Sequence, residues 1–107
     1  MSADKKISFE IKATHPCLAG HFPGNPVVPG VVILDEVVQV ILQQFSGYKV
    51  VGFSRVKFLV PLLAEQEVVV QVGERVGMSN EISKIKFTSI CNNVLIAQGE
   101  LKLEKLS

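Results

Sequence analysis

Four residues in one short stretch have the types and spacing for acid–base chemistry on a carbonyl compound: His21, Gly30, Asp35 and Gln39. Histidine suits a general base, because its unperturbed pKa of about 6.5 lets it take and return a proton near neutral pH. His21 precedes Pro23, Pro26 and Pro29, each of which fixes φ and stiffens the segment. Gly30 stands where a helix is expected to begin, and there free backbone N–H groups and the helix dipole favour negative charge. Asp35 would follow about 7.5 Å further along the helix axis. In a helix buried on most faces its pKa would rise, so that it could hold a proton as a general acid. Gln39, one turn later, is spaced to hydrogen-bond and orient it. A base, an anion-stabilising helix end and a second proton carrier are the parts needed to abstract a proton next to a carbonyl.

Plainer readings of the same residues stand beside this one. A loop histidine is more often structural or solvated, and Asp35 with Glu36 also reads as a solvated helix face. His15, Cys17 and His21 raise metal ligation, or a nucleophilic Cys17. Zinc sites favour closer pairing and a fourth ligand. A nucleophilic cysteine needs an electropositive setting that the sequence does not display. The expectation is therefore no metal.

The elements that must position these residues follow from pattern. Ile7, Phe9 and Ile11 alternate with Ser8, Glu10 and Lys12, the period of a half-buried strand. Thr14 to Gly30 holds four of the five prolines and reads as a long loop. Loops of that length in a compact domain are often functional. Val31 to Phe45 is rich in β-branched residues, which favours strand, yet it is long for one. Asp35, Gln39 and Gln43 recur every four residues, one stripe on a helix, whereas a strand would give no polar face. Pro29 suits a first helical position and Gly47 a left-handed stop. The segment therefore reads as a helix that is apolar almost all round, and so buried. Strands follow at Val50 to Leu59, Glu67 to Val76, Ile82 to Cys91 and Val94 to Leu106. Asn92-Asn93 reads as a two-residue hairpin turn, and Cys91 as a core residue. In the last strand Leu95, Ala97, Gly99, Leu101 and Leu103 face one way, and Ile96, Gln98, Glu100, Lys102 and Glu104 the other. Strand, loop, buried helix and four strands in succession fit an antiparallel sheet around one central helix.

Composition bounds the rest. The chain of 107 residues is the size of one domain, 1–107, with one core. Eleven basic against ten acidic residues leave no broad basic face of the kind that nucleic-acid binding needs. Seventeen valines favour sheet. A mean hydropathy of +0.37 is high for so small a domain and predicts an oligomer. The first residues are too polar for a secretory signal, and Val27 to Leu42 is shorter than the roughly 20 residues of a membrane span. The expectation is a reduced, cytoplasmic chain without a membrane span.

The run His21-Phe22-Pro23-Gly24, then Pro26, Pro29-Gly30, Leu34-Asp35 and Gln39, resembles the β-hydroxyacyl-[acyl-carrier-protein] dehydratases. Val56-Lys57-Phe58-Leu59-Val60-Pro61 resembles the strand that follows the helix in that family. The resemblance implies an α+β hotdog fold, an antiparallel sheet wrapped around one long central helix. It implies that His21 is the catalytic histidine and Asp35 the catalytic acid. Gly30 falls on the glycine whose N–H holds the thioester carbonyl, Val27 on the residue whose carbonyl steadies the histidine, and Gln39 on the glutamine near the acid. It implies dehydration of a 3-hydroxyacyl thioester on acyl carrier protein, no cofactor, and a homodimer or higher oligomer whose sites combine the histidine of one subunit with the acid of the other. Two departures stand out. Longer members carry an extra helix and strand before the histidine, where this sequence has twenty residues. Glu36 replaces the small residue usual after the acid. A hotdog thioesterase and a non-catalytic acyl-binding subunit are the alternatives, because fold alone does not choose among them.

Overall fold

The computed structural model describes residues 5–12, 14 and 27–106. His15, Cys17 and His21, with Pro23, Pro26 and most of the expected loop, lie outside the described residues. The elements are β1 (Lys5–Glu10), α1 (Gly30–Gln44), β2 (Tyr48–Phe58), β3 (Glu67–Gly77), β4 (Ile82–Cys91) and β5 (Val94–Lys105). The strands form one antiparallel sheet in the order β1-β3-β4-β5-β2, so β1 and β2 are its edges.

The period-two pattern decides which face of the sheet meets the helix. Val68, Val70 and Val72 of β3, Ile85 and Phe87 of β4, and Ala97, Leu101 and Leu103 of β5 are buried, and they form the core with Ile33, Val37, Val40 and Ile41 of α1. Packing there is tight. A Cβ on Gly99 would lie 2.9 Å from Val56 Cγ2 and 3.1 Å from the Phe87 ring. The β4–β5 connection is the expected two-residue turn, with Asn92 at φ 52° and Asn93 at φ 64°, the left-handed pair of a type I′ hairpin. Cys91 is a buried free thiol.

The helix starts and stops one residue earlier than the pattern suggests. Pro29 is not its first residue but its N-cap, at φ −60° and ψ 143°, and its carbonyl accepts the Val32 and Ile33 N–H groups at 3.0 and 3.3 Å. Gly47 takes φ 87° three residues past the end. The expectation that α1 is buried almost all round is corrected. Val31, Asp35, Gln39 and Gln43 are exposed, and Val31 at 73% is the most exposed large apolar residue described. A single sheet covers only one side of a helix, so β-branched richness did not translate into burial on the other.

The outer face of the sheet carries a departure of its own. The alternation of β5 puts Glu100 on the face opposite Leu101 and Leu103, with Gln98, Lys102 and Glu104, yet it is only 6% exposed. The Ser54 hydroxyl donates to its Oε1 at 3.0 Å and Lys84 Nζ lies at 3.5 Å. The Ser54 bond, with the charges of Lys84 and Arg55, outweighs desolvation and holds the carboxyl below its ordinary pKa. A depressed folded-state pKa means that Glu100 stabilises the fold fully above its unfolded value of about 4.3. The stabilisation is lost as pH falls through the folded value. Glu100→Gln is therefore expected to flatten the acid limb of a plot of urea midpoint against pH, while a limb as steep as wild type would refute the assignment.

Candidate active site

The site is built where the start of α1 meets the end of β2. The chain entering the helix is tied down on one side: Val27 bridges Leu63, and the Val28 N–H donates to the Leu62 carbonyl at 2.8 Å. The chain leaving β2 is tied down on the other. The Leu59 and Val60 N–H groups both point to the Ile96 carbonyl, at 2.8 and 3.4 Å. Ile96 lies between the Ser89–Ala97 and Ile90–Leu95 pairs, where the β4–β5 register shifts. Such an irregularity re-aims backbone groups away from the ladder.

Between these two segments opens an apolar pocket of about 280 Å³. Val27, Val28, Gly30 and Ile33 line one side, and Phe58, Leu59, Val60, Pro61 and Leu62 the other. Gly30 is the first residue of α1, so its N–H has no intrahelical acceptor and lies at the positive end of the helix dipole. Its side toward β2 is fully occupied. A Cβ at this position would sit 2.9 Å from both Cε2 and Cζ of Phe58. Only glycine allows the ring to lie this close to the helix backbone.

Asp35 and Gln39 share the exposed stripe of α1, and the expected hydrogen bond between them is present. Gln39 Nε2 donates to Asp35 Oδ2 at 3.2 Å. The burial expected of Asp35 is not found: it is exposed in the single subunit, opposite the stripe that faces the sheet. Glu36 is half-buried. His21 lies outside the described residues, as do His15 and Cys17, and among the described residues no three acidic, histidine or cysteine side chains gather to hold a metal. Phe58, Leu59, Val60, Pro61 and Leu62 were not singled out as site residues. Their signal was the run of apolar residues continuing past the strand into Pro61, with no polar alternation to mark a buried and a solvent face.

An antiparallel sheet wrapped on one helix, with an apolar pocket at the helix's N-terminal end, defines a hotdog-fold protein. The chain belongs to the ApeI-like dehydratase family, whose sequence profile matches residues 2–100. It is 31% identical over 101 residues to a 3-hydroxyacyl-[acyl-carrier-protein] dehydratase FabZ of Hydrogenobaculum sp., covering 85% of this chain and 68% of that protein. A second FabZ, from Caldicellulosiruptor saccharolyticus, is 31% identical over 99 residues, covering 85% and 70%. Among solved structures the fold resembles the dehydratase heterocomplex ApeI:P of Xenorhabdus doucetiae, with TM-score 0.74 and 22% identity, covering 98% of this chain and 90% of that one. It also resembles an (R)-hydratase from A. caviae involved in PHA biosynthesis, with TM-score 0.78 and 19% identity, covering 99% and 96%. A thioesterase from Thermus thermophilus shares the fold too, with TM-score 0.71 and 19% identity, covering 100% and 86%. Among the described residues no helix is long and apolar enough to cross a membrane.

The steric fit at Gly30 gives a measurable coupling. Gly30→Ala forces the half-exposed Phe58 ring to move and is expected to destabilise by about 1 kcal/mol, the low end of the cost of overpacking. In a Phe58→Ala background the same change is expected to cost little. A double-mutant cycle on urea unfolding reads the difference, and equal costs in both backgrounds would refute the contact.

Proposed function

We propose that this chain removes water from a 3-hydroxyacyl thioester carried on acyl carrier protein, giving the trans-2-enoyl thioester. The observation that carries the proposal is the Gly30 N–H at the start of α1, beside an apolar pocket able to take an acyl chain. In this reading the thioester oxygen accepts from that N–H, which stabilises the negative charge that develops as the α-proton leaves. His21 takes that proton, and the Val27 carbonyl steadies the imidazole. Asp35, held by Gln39, gives a proton to the 3-hydroxyl as the carbon–oxygen bond breaks, and water departs. The thioester itself acidifies the α-proton, so the chemistry calls for no cofactor. Membership of a dehydratase family and relatives named for this reaction support the reading.

The site is proposed to form across a two-fold axis, with His21 of one subunit facing Asp35 of the other. Edge strand β2, the segment after it and the first turn of α1 expose Val51, Phe53, Phe58, Leu59, Val60 and Val31. An apolar surface of this kind marks an association site. Pairing there would cover the helix end and bring the residues of a second subunit to Asp35.

The direct test is incubation with a 3-hydroxyacyl thioester while enoyl absorbance and free thiol are followed. Enoyl product without thiol is expected. Thiol alone would favour hydrolysis, and neither signal would favour an acyl-binding role. His21→Ala is expected to lower kcat by about a hundredfold or more, and Asp35→Asn to fold but fail, since an amide cannot act as the acid. Gln39→Ala should slow turnover less than either. Activity against pH should be bell-shaped, because one group must be free and the other protonated.

A subunit-mixing experiment tests the shared site. His21→Ala and Asp35→Ala chains co-refolded at equal ratio give about half mixed dimers. Each mixed dimer carries one doubly damaged site and one intact site, so roughly a quarter of wild-type activity should return. Activity at the background of the single variants, with mixed dimers present by native mass spectrometry, would sink the shared site. A chain that stays single by native mass spectrometry would point to a different hotdog subunit as its partner.

A further inference from the structure

The pocket beside Gly30 has walls of two kinds. Val28, Ile33 and Leu62 are buried in the core, and the Val28–Leu62 backbone bond locks two of them together. They cannot yield without loss of core packing. Phe58 is different. Its ring is the largest side chain lining the pocket, lies where a Cβ on Gly30 would come within 2.9 Å of it, and is 47% exposed. A chain anchored with its carbonyl at the Gly30 N–H would run beside the ring, which stands against Gly30 in the same pocket.

We propose that Phe58 is the residue that limits acyl-chain length at this site. The inference rests on the reading of the pocket as the thioester site, and adds to it which side chain selects the substrate. The ring takes up volume that further methylenes would need, so the protein favours short acyl chains, and a smaller side chain admits longer ones. The Gly30 backbone, which would bind the carbonyl, stays in place in either case.

The test uses 3-hydroxyacyl N-acetylcysteamine thioesters of graded chain length with wild type, Phe58→Ala and Phe58→Leu. Wild type should lose kcat/KM as the chain lengthens. In Phe58→Ala the ratio of kcat/KM for the longest to the shortest chain should rise at least about tenfold, the discrimination that a single methylene can carry in an apolar pocket. Phe58→Leu should fall between, and supplies the answer by itself if the alanine variant does not fold. A uniform change at every chain length would overturn the proposal. Calorimetric binding of the matching saturated acyl thioesters gives a readout that needs no turnover. If wild type turns over nothing but the binding profile shifts to longer chains in the variants, the proposed reaction fails and the role of Phe58 stands. If the binding profile does not shift, or wild type binds none of the series, the role of Phe58 fails whatever the activity.

Discussion

One face of one helix organises this molecule. Ile33, Val37, Val40 and Ile41 form the stripe of α1 that is buried against the sheet, and burying it fixes how the helix is rotated about its axis. At about 100° per residue, position 35 lies roughly 200° around from position 33. No rotation buries both Ile33 and Asp35 against a single sheet. The same rotation brings Gly30 against Phe58 and leaves Val31, Asp35 and Gln39 outward. The pocket, the exposed acid and the uncovered apolar turn thus share one cause.

The pocket depends on a second constraint, the anchoring of two irregular segments to regular ones. Leu59 and Val60 hang from the Ile96 carbonyl, while Val28 hangs from the Leu62 carbonyl. Short segments tied at several backbone points hold their side chains with little freedom, as a site needs. Apolar side chains supply the lining, and the backbone of a helix start supplies the polarity. That division keeps charged groups out of the pocket itself and leaves proton transfer to residues brought from elsewhere.

Much of this was legible in the residues. Asp35, Gln39 and Gln43 recurring every four positions identified a helix through a run of valine and isoleucine that propensity assigns to strand. Period-two alternation located the strands, with ends shifted by at most two residues, and Asn92-Asn93 announced its turn. Burial was harder to read. A residue's exposure depends on what stands opposite, so the apolar character of α1 predicted cover that one chain does not provide. Glu100 shows the converse: alternation gave its side of the sheet, but Ser54 and Lys84, distant in sequence, decided that it would be enclosed. Phe58 escaped notice as a site residue because its importance lies in the missing Cβ of Gly30, a relation between two positions that no local pattern carries.

The two edges of the sheet are unlike, and this has a consequence for assembly. β1 is six residues long and presents Lys6, Ser8 and Glu10, short and polar features that discourage another strand from adding. β2 is eleven residues long and exposes Val51, Phe53 and Phe58 among Lys49, Arg55 and Lys57, with two register shifts against β5. If β2 is the edge that pairs, as the proposed two-fold site requires, and β1 stays blunt, the sheet can extend itself only once. Joining two receptive edges uses up both, and what remains at each end repels addition. Growth by strand pairing would then stop at two chains instead of running on into a filament.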